Sequence, residues 1–196
     1  MGEPLPLATL QQAVLEFLNG RSDVVLFGAQ AVNAYVAEPR MTQDIDLLSI
    51  QAQEIAQTLR SYLSNRFHIA VRVRQIGAGR GFRLYQTRKS GNRHLVDIRR
   101  VETLPQTRQI GGIQVMAPAD LIASKVISYH QRRGKPKSGT DWRDVALLLL
   151  TFPELKSESG PVYNCLQTIG VEPAIFDLWR EIVAQDIQPE DEDDEF

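Results

Sequence analysis

Asp44 and Asp46 stand one residue apart in the segment Gln43-Asp44-Ile45-Asp46-Leu47. On an extended strand, alternation puts both carboxylates on one face and Ile45 and Leu47 on the other. Two carboxylates at neighbouring same-face positions repel unless a cation lies between them. A hard divalent ion such as Mg2+ takes oxygen ligands and keeps positions for water and phosphate oxygens. The pair therefore reads either as a metal anchor at the edge of a sheet or as two solvent-facing acids on an exposed strand. Asp97 favours the first reading, because it is the single acid of Leu95-Val96-Asp97-Ile98. A third carboxylate from a neighbouring strand would complete a two-ion site. Gly28 closes the apolar run Val24 to Phe27 just before a helix-like stretch. Its missing side chain lets the backbone approach a phosphate, and a helix N-terminus favours negative charge. An ordinary strand-to-helix turn uses glycine in the same place.

These residues need elements to hold them. Leu7 to Leu18 carries an apolar stripe at Leu7, Leu10, Val14, Leu15 and Leu18, which predicts an amphipathic helix ended by Asn19-Gly20. Strands are expected at Val24–Phe27, Ile45–Ile50, His68–Ile76, Phe82–Thr87, Leu95–Ile98 and Ile113–Met116, with helices at Ala29–Ala37 and Gln51–Ser64. The run from Gly77 to Gly81 is expected to be a turn and not a dinucleotide fingerprint, since a strand follows it. Pro118 opens a helix to about Arg132, Arg133–Gly139 reads as a basic loop, and Thr140 is the expected N-cap of a helix through Leu150. Two further helices are expected near Gly160–Ile169 and Pro173–Gln185. The fold class is α/β (α+β): a small mixed β-sheet with crossover helices, then a helical C-terminal portion. The expected domains are a core over 1–117, a helical portion over 118–188 packed on it, and an acidic disordered tail over 189–196.

Composition narrows the function. The chain has 196 residues, 43% hydrophobic and 23% charged, which suffices for a real core. The longest uncharged apolar run, Val145 to Phe152, is far short of the roughly 20 residues of a membrane span. No secretory leader is apparent, and the single Cys165 allows neither an internal disulfide nor a cysteine-based zinc site, so a cytoplasmic protein is expected. The net charge of -2 hides an asymmetry: Arg72 to Arg143 holds sixteen Lys or Arg against four acids. Such a basic centre either meets a polyanion, such as a triphosphate or a nucleic acid, or is a solvated face. His68, His94 and His130 lack metal-ligand spacing to one another, and Trp142 and Trp179 read as packing residues. Lys125, Tyr129 and Arg132 share one helix face, which either turns toward phosphate or is solvated. Asp141 and Asp144, three apart, either pair with Lys125 or Arg132 or favour their helix N-terminus.

Taken together, Phe27-Gly28-Ala29, Arg40-x-Thr42-x-Asp44-Ile45-Asp46-Leu47 and Val96-Asp97-Ile98 resemble the nucleotidyltransferase superfamily of DNA polymerase beta type. More narrowly, the sequence resembles the AbiEii-type nucleotidyltransferases, the toxins of type IV toxin–antitoxin systems. Those carry a later helix with a Lys and an Arg seven residues on, matched by Lys125 and Arg132, then an Arg-x-x-x-Asp-x-x-Asp element, matched by Lys137, Asp141 and Asp144. The resemblance covers about Val24 to Leu150 and departs at Ala29, where a small Gly or Ser is usual, and at Lys137, where Arg is usual. It implies an enzyme that moves an NMP from an NTP to a hydroxyl on RNA, protein or a small molecule. It implies Asp44, Asp46 and Asp97 as metal ligands for two Mg2+ ions, with Mn2+ an alternative, and Asp97 as a possible proton acceptor. It also implies Gly28, Ala29, Arg40, Thr42, Lys125, Arg132 and Asp141 as nucleotide-binding residues, Lys125 as a supporting catalytic cation, and a cognate antitoxin as partner. The competing expectation is a non-catalytic nucleotide- or RNA-binding module that keeps the fold. A sugar-nucleotide transferase using Asp-x-Asp fits the short chain and the Gly28-to-Asp44 spacing less well.

Overall fold

Residues 5–189 are described by the computed structural model; the acidic segment 190–196, expected as a tail, lies outside them. The α/β fold class is as expected. The chain divides into two compact units. The first runs to Ala34 and resumes from Pro39 to Met116; the second comprises Tyr35–Glu38 and everything from Ala117 onward.

In the first unit, Leu10, Ala13, Val14 and Leu18 form the buried stripe of α1 (Leu7–Leu18). The remaining elements are β1 (Val25–Phe27), α2 (Gly28–Asn33), β2 (Ile45–Ser49), α3 (Ala52–Phe67), β3 (Val71–Ile76), β4 (Gly81–Arg88), β5 (Gly91–Arg100), β6 (Thr107–Ile110) and β7 (Ile113–Met116). The seven strands form one mixed sheet in the order β3-β4-β5-β2-β1-β7-β6. β2 runs parallel to β5 and β1 parallel to β7; the other neighbours are antiparallel.

Register divides the sheet into two chemistries. Ile45 pairs with Val96 and Leu47 with Ile98, while Leu84 lies opposite Val96 and Phe82 opposite Ile98. All are buried and lie on one face, where α3 lays down Ala52, Ile55, Ala56, Leu59 and Leu63. The opposite face carries the row Phe27, Asp46, Asp97, Arg83 and Arg74, one residue from each of five adjacent strands. Alternation thus spends the odd positions of β2 on the core and frees Asp46 for the other side.

Several expectations shift. The helix expected over Ala29–Ala37 stops at Asn33. The Asn33 side chain explains this: its Nδ2 donates to the Arg40 carbonyl at 2.8 Å and its Oδ1 accepts from the Arg40 N–H at 3.1 Å. That clamp requires the chain to double back over residues 34–39. β6 was not expected, because Thr-Arg-Gln-Ile lacks an apolar run; it is specified by antiparallel pairing with β7 across Gly111-Gly112. β5 begins four residues before the expected Leu95, since Gly91 to His94 pair with β4 in a hairpin. Asp44 sits one position before β2 and not within it.

The second unit contains α4 (Pro118–Gln131), α5 (Lys137–Thr151), α6 (Pro161–Ile169) and α7 (Pro173–Ala184). Three of these helices start with proline, whose fixed φ suits the first turn and whose missing N–H has no partner to lose there. α5 begins at Lys137, so Thr140 lies inside the helix and does not cap it. The core gathers Leu121, Ile122, Val126, Val145, Leu148 and Val162 around Trp179, whose indole N–H donates to the Ser157 carbonyl at 3.1 Å. Among the described residues, no helix is long and apolar enough to cross a membrane.

Candidate active site

On the sheet of the first unit, Asp44 and Asp97 come within 4.8 Å of each other with His94, and Asp46 lies next to Asp97 without belonging to that group. Asp46 and Asp97 are register partners on adjacent parallel strands, so their side chains leave the same face. Asp44 reaches the group from the chain entering β2. His94 stands between the outer two: its Nδ1 is 3.2 Å from Asp44 Oδ2 and its Nε2 is 2.9 Å from Asp97 Oδ1. Asp44, His94 and Asp97 each offer a ligand atom within 4.8 Å of the others. Hard oxygen donors with one imidazole, on a half-open surface, suit a divalent cation.

Strand alternation from Asp97 would send His94, three residues earlier, to the apolar side. A bulge prevents this. Leu84 pairs with Val96 but Tyr85 pairs with His94, leaving Leu95 as the extra residue on β5. Leu95 and Val96 are consequently both buried, and His94 emerges beside Asp97.

Arg83, directly opposite Asp97 on β4, grips the same carboxylate with Nε at 2.8 Å and Nη2 at 2.7 Å. Burial alone would push the Asp97 carboxyl up. The paired Arg83 hydrogen bonds and the contact with His94 outweigh burial and hold it well below the usual carboxylate range. Arg83 is itself pushed up, first by its hydrogen bonds to Asp97, with Asp44 and Asp46 adding attraction. Replacing Arg83 with Gln is therefore expected to raise the Asp97 pKa, read by carboxyl carbon NMR over an acid titration. An unmoved titration would show that Arg83 is not what keeps Asp97 ionised.

Gly28 explains why the chain can pass so close to Asp46. Its φ is +70°, and a Cβ there would lie 2.4 Å from Asp46 Oδ2. Gly28→Ala thus forces both an unfavourable backbone conformation and a displaced carboxylate. The backbone strain alone is expected to cost about 1–3 kcal/mol in urea unfolding. Metal affinity is expected to fall with it, read by titration calorimetry with Mn2+; unchanged affinity would mean that Asp46 is not held by this contact.

Thr42 fixes the approach to Asp44. Its hydroxyl accepts from Gln30 Nε2 at 2.8 Å, and its carbonyl accepts from Gln11 Nε2 at 2.9 Å. Arg40 is tied by its backbone to Asn33, and Ala29 lies in the first turn of α2.

Lys125, Arg132, Asp141 and Asp144 belong to the second unit and form a network of their own. Lys125 Nζ donates to Asp144 Oδ2 at 2.7 Å and lies 4.0 Å from Asp141. Arg132 Nη1 donates to both Asp141 oxygens, at 3.1 and 2.8 Å. Asp144 is fully buried, while Lys125 and Asp141 are nearly so. Of the two readings of Asp141 and Asp144, the pairing one describes what the side chains do. Lys137 is exposed at the start of α5.

Sequence reasoning missed His94 and Arg83. His94 has no metal-ligand spacing to the other histidines, and its partners Asp44 and Asp97 are brought to it by strand pairing. The signal available was the break in alternation at Leu95-Val96, two adjacent apolar residues before an acid.

A mixed sheet bearing Asp-x-Asp beside a glycine turn, with a third acid on the adjacent strand, is the arrangement of a nucleotidyltransferase. The chain belongs to the nucleotidyl transferase AbiEii toxin family of type IV toxin–antitoxin systems, whose family model matches residues 11–169. No curated protein matches the sequence. Among solved structures, the fold is similar to that of the Megavirus polyadenylate synthase, with a TM-score of 0.61 and 14% identity over 75% of this chain. The chain spans only 32% of that protein. It is also similar to a putative nucleotidyltransferase from H. pylori, with a TM-score of 0.56 and 12% identity, covering 90% of each chain. An antigenic nucleotidyltransferase-like protein from Paracoccidioides brasiliensis gives a TM-score of 0.51 and 22% identity over 89% of this chain and 92% of its own.

Proposed function

We propose that this nucleotidyltransferase moves an NMP from an NTP to a hydroxyl acceptor with Mg2+ held at Asp44, Asp46 and Asp97. The observation that carries the reading is Asp46 beside Asp97 in register on one sheet face, with Asp44 within 4.8 Å of Asp97 and Gly28 against Asp46. Two ions bound there would neutralise triphosphate charge and make the acceptor hydroxyl easier to ionise. Attack of that hydroxyl on the α-phosphorus forms the new P–O bond, breaks the α-phosphorus bond to the oxygen bridging to the β-phosphate and releases pyrophosphate, and the hydroxyl proton passes to water. The protein contributes position and fixed charge more than covalent chemistry.

Gly28 and Ala29 present backbone at the strand-to-helix turn, where a phosphate meets N–H groups and no side chain blocks it. Arg40 and Thr42 hold the loop that delivers Asp44. A carboxylate as strongly hydrogen-bonded as Asp97 is a weak base, so its part is to hold a cation rather than to take the acceptor proton. In the second unit, Arg132 keeps a partly exposed guanidinium pinned by Asp141. Lys125 acts as a positioning residue within that network, because its ammonium is engaged with Asp144.

The acceptor is proposed to be RNA, favoured by the basic stretch from Arg72 to Arg100, and the setting a cytoplasmic toxin restrained by a cognate antitoxin. Incubation with each labelled NTP, Mg2+ and total RNA tests this. Label in RNA together with pyrophosphate release is the expected result. Nucleotide binding without pyrophosphate release would instead mark a binding module, and label in protein alone would move the acceptor to a protein hydroxyl.

A further inference from the structure

We propose that His94 is a nitrogen ligand of the bound divalent ion, and that it tilts this centre toward Mn2+ over Mg2+. The inference rests on the metal-dependent reading above and adds a donor that the three acids alone do not supply. Its basis is geometric. The β5 bulge at Leu95 turns His94 out of the apolar side of the sheet and places its ring between Asp44 and Asp97. Both ring nitrogens face carboxylate oxygens, at 3.2 and 2.9 Å. A ligating histidine typically uses one nitrogen for the metal and donates its other N–H to a carboxylate, which fixes ring orientation and tautomer. One carboxylate on each side of the ring supplies both halves of that arrangement.

The chemical consequence concerns which ion fits. Mg2+ demands near-ideal octahedral oxygen coordination and keeps much of its water. Mn2+ shares the preference of Mg2+ for carboxylate and water oxygen but, as a transition-metal ion, accepts an imidazole nitrogen more readily than Mg2+ does. Whichever ring nitrogen takes the ion, one carboxylate stands beside it and the other accepts the remaining N–H, a mixed nitrogen and oxygen set better matched to Mn2+ than to Mg2+. Arg83 contributes by holding Asp97 ionised and in place.

The test uses the full chain, freed of metal by chelation and loaded with Mn2+ alone. Electron spin-echo modulation of the bound Mn2+ is expected to show coupling to 14N, replaced by 15N coupling when the protein is made with 15N-histidine. His94→Gln, checked for folding by circular dichroism, is expected to lose the coupling. In competition titrations the same variant is expected to lose about tenfold in its Mn2+-over-Mg2+ preference. Bound Mn2+ with no nitrogen coupling in the unaltered protein would overturn the inference and leave the three-acid metal site standing. Loss of Mn2+ binding altogether, with NMP transfer also absent, would overturn both. The isotope exchange needs no variant, so a misfolded His94→Gln does not blunt the test.

Discussion

Asp44→Asn combined with Asp46→Asn is expected to abolish NMP transfer while leaving the protein folded. Removing one preorganised electrostatic group from such a site costs roughly 3 kcal/mol in barrier, close to a hundredfold or more in rate. Two losses at one site act on the same ion and do not simply add, so the double variant is expected to fall at least about a thousandfold. Stability points the other way. Asp44 is half-exposed and has both an acid, Asp97, and the His94 and Arg83 side chains near it, so neutralising it changes stability little. The melting temperature is expected to stay within about 5 °C of the parent protein. Labelled-NMP transfer and a thermal scan on the same preparation decide the matter. Undiminished transfer by the folded variant would remove the carboxylates from the mechanism.

Asp144→Ala is expected to be the most destabilising single change among the charged residues. Its carboxylate is fully buried and holds Lys125, also buried, at 2.7 Å. Deleting it leaves the ammonium in a medium that solvates it poorly with only Asp141, 4.0 Å away, as an acid partner, which costs about 3 kcal/mol. Replacing both members, Lys125→Met with Asp144→Leu, removes the stranded charge and is expected to recover most of that loss. Urea unfolding of the two variants measures the difference. A cost below about 1 kcal/mol for Asp144→Ala would show that the pair contributes little to holding α4 against α5. The double variant also separates architecture from chemistry: regained stability with poor transfer would assign the pair to positioning Asp141 and Arg132.

The sequence made much of this arrangement legible because β2 obeys a simple rule. Ile45 and Leu47 alternate with Asp46, and apolar flanks around Asp97 mark its strand as an inner one, so the pairing of Asp46 with Asp97 is legible from alternation, while Asp44, outside the strand, is not. What alternation did not carry was the bulge. One extra residue at Leu95 reverses the facing of His94, and neither its position nor its partner is written in local spacing. Arg83 was hidden for a related reason, since its bond to Asp97 depends on β4–β5 register. β6 was invisible because pairing with β7, and not apolar content, makes it a strand. The early end of α2 turns on one asparagine amide reaching seven residues ahead, a contact that helix propensity ignores. The buried Lys125–Asp144 pair was legible as a spacing but not as a burial, because charged residues are seldom found so deep.

The double duty of β2 also limits how this chain can change length. An insertion of a single residue among Ile45–Ser49 would rotate Asp46 into the packing beneath α3 and turn aliphatic side chains out to solvent, damaging fold and chemistry in one event. The hairpin tip at Lys89-Ser90 lies outside that constraint. Length variation that evolution or an engineer can use is therefore expected to accumulate there and to be purged from β2.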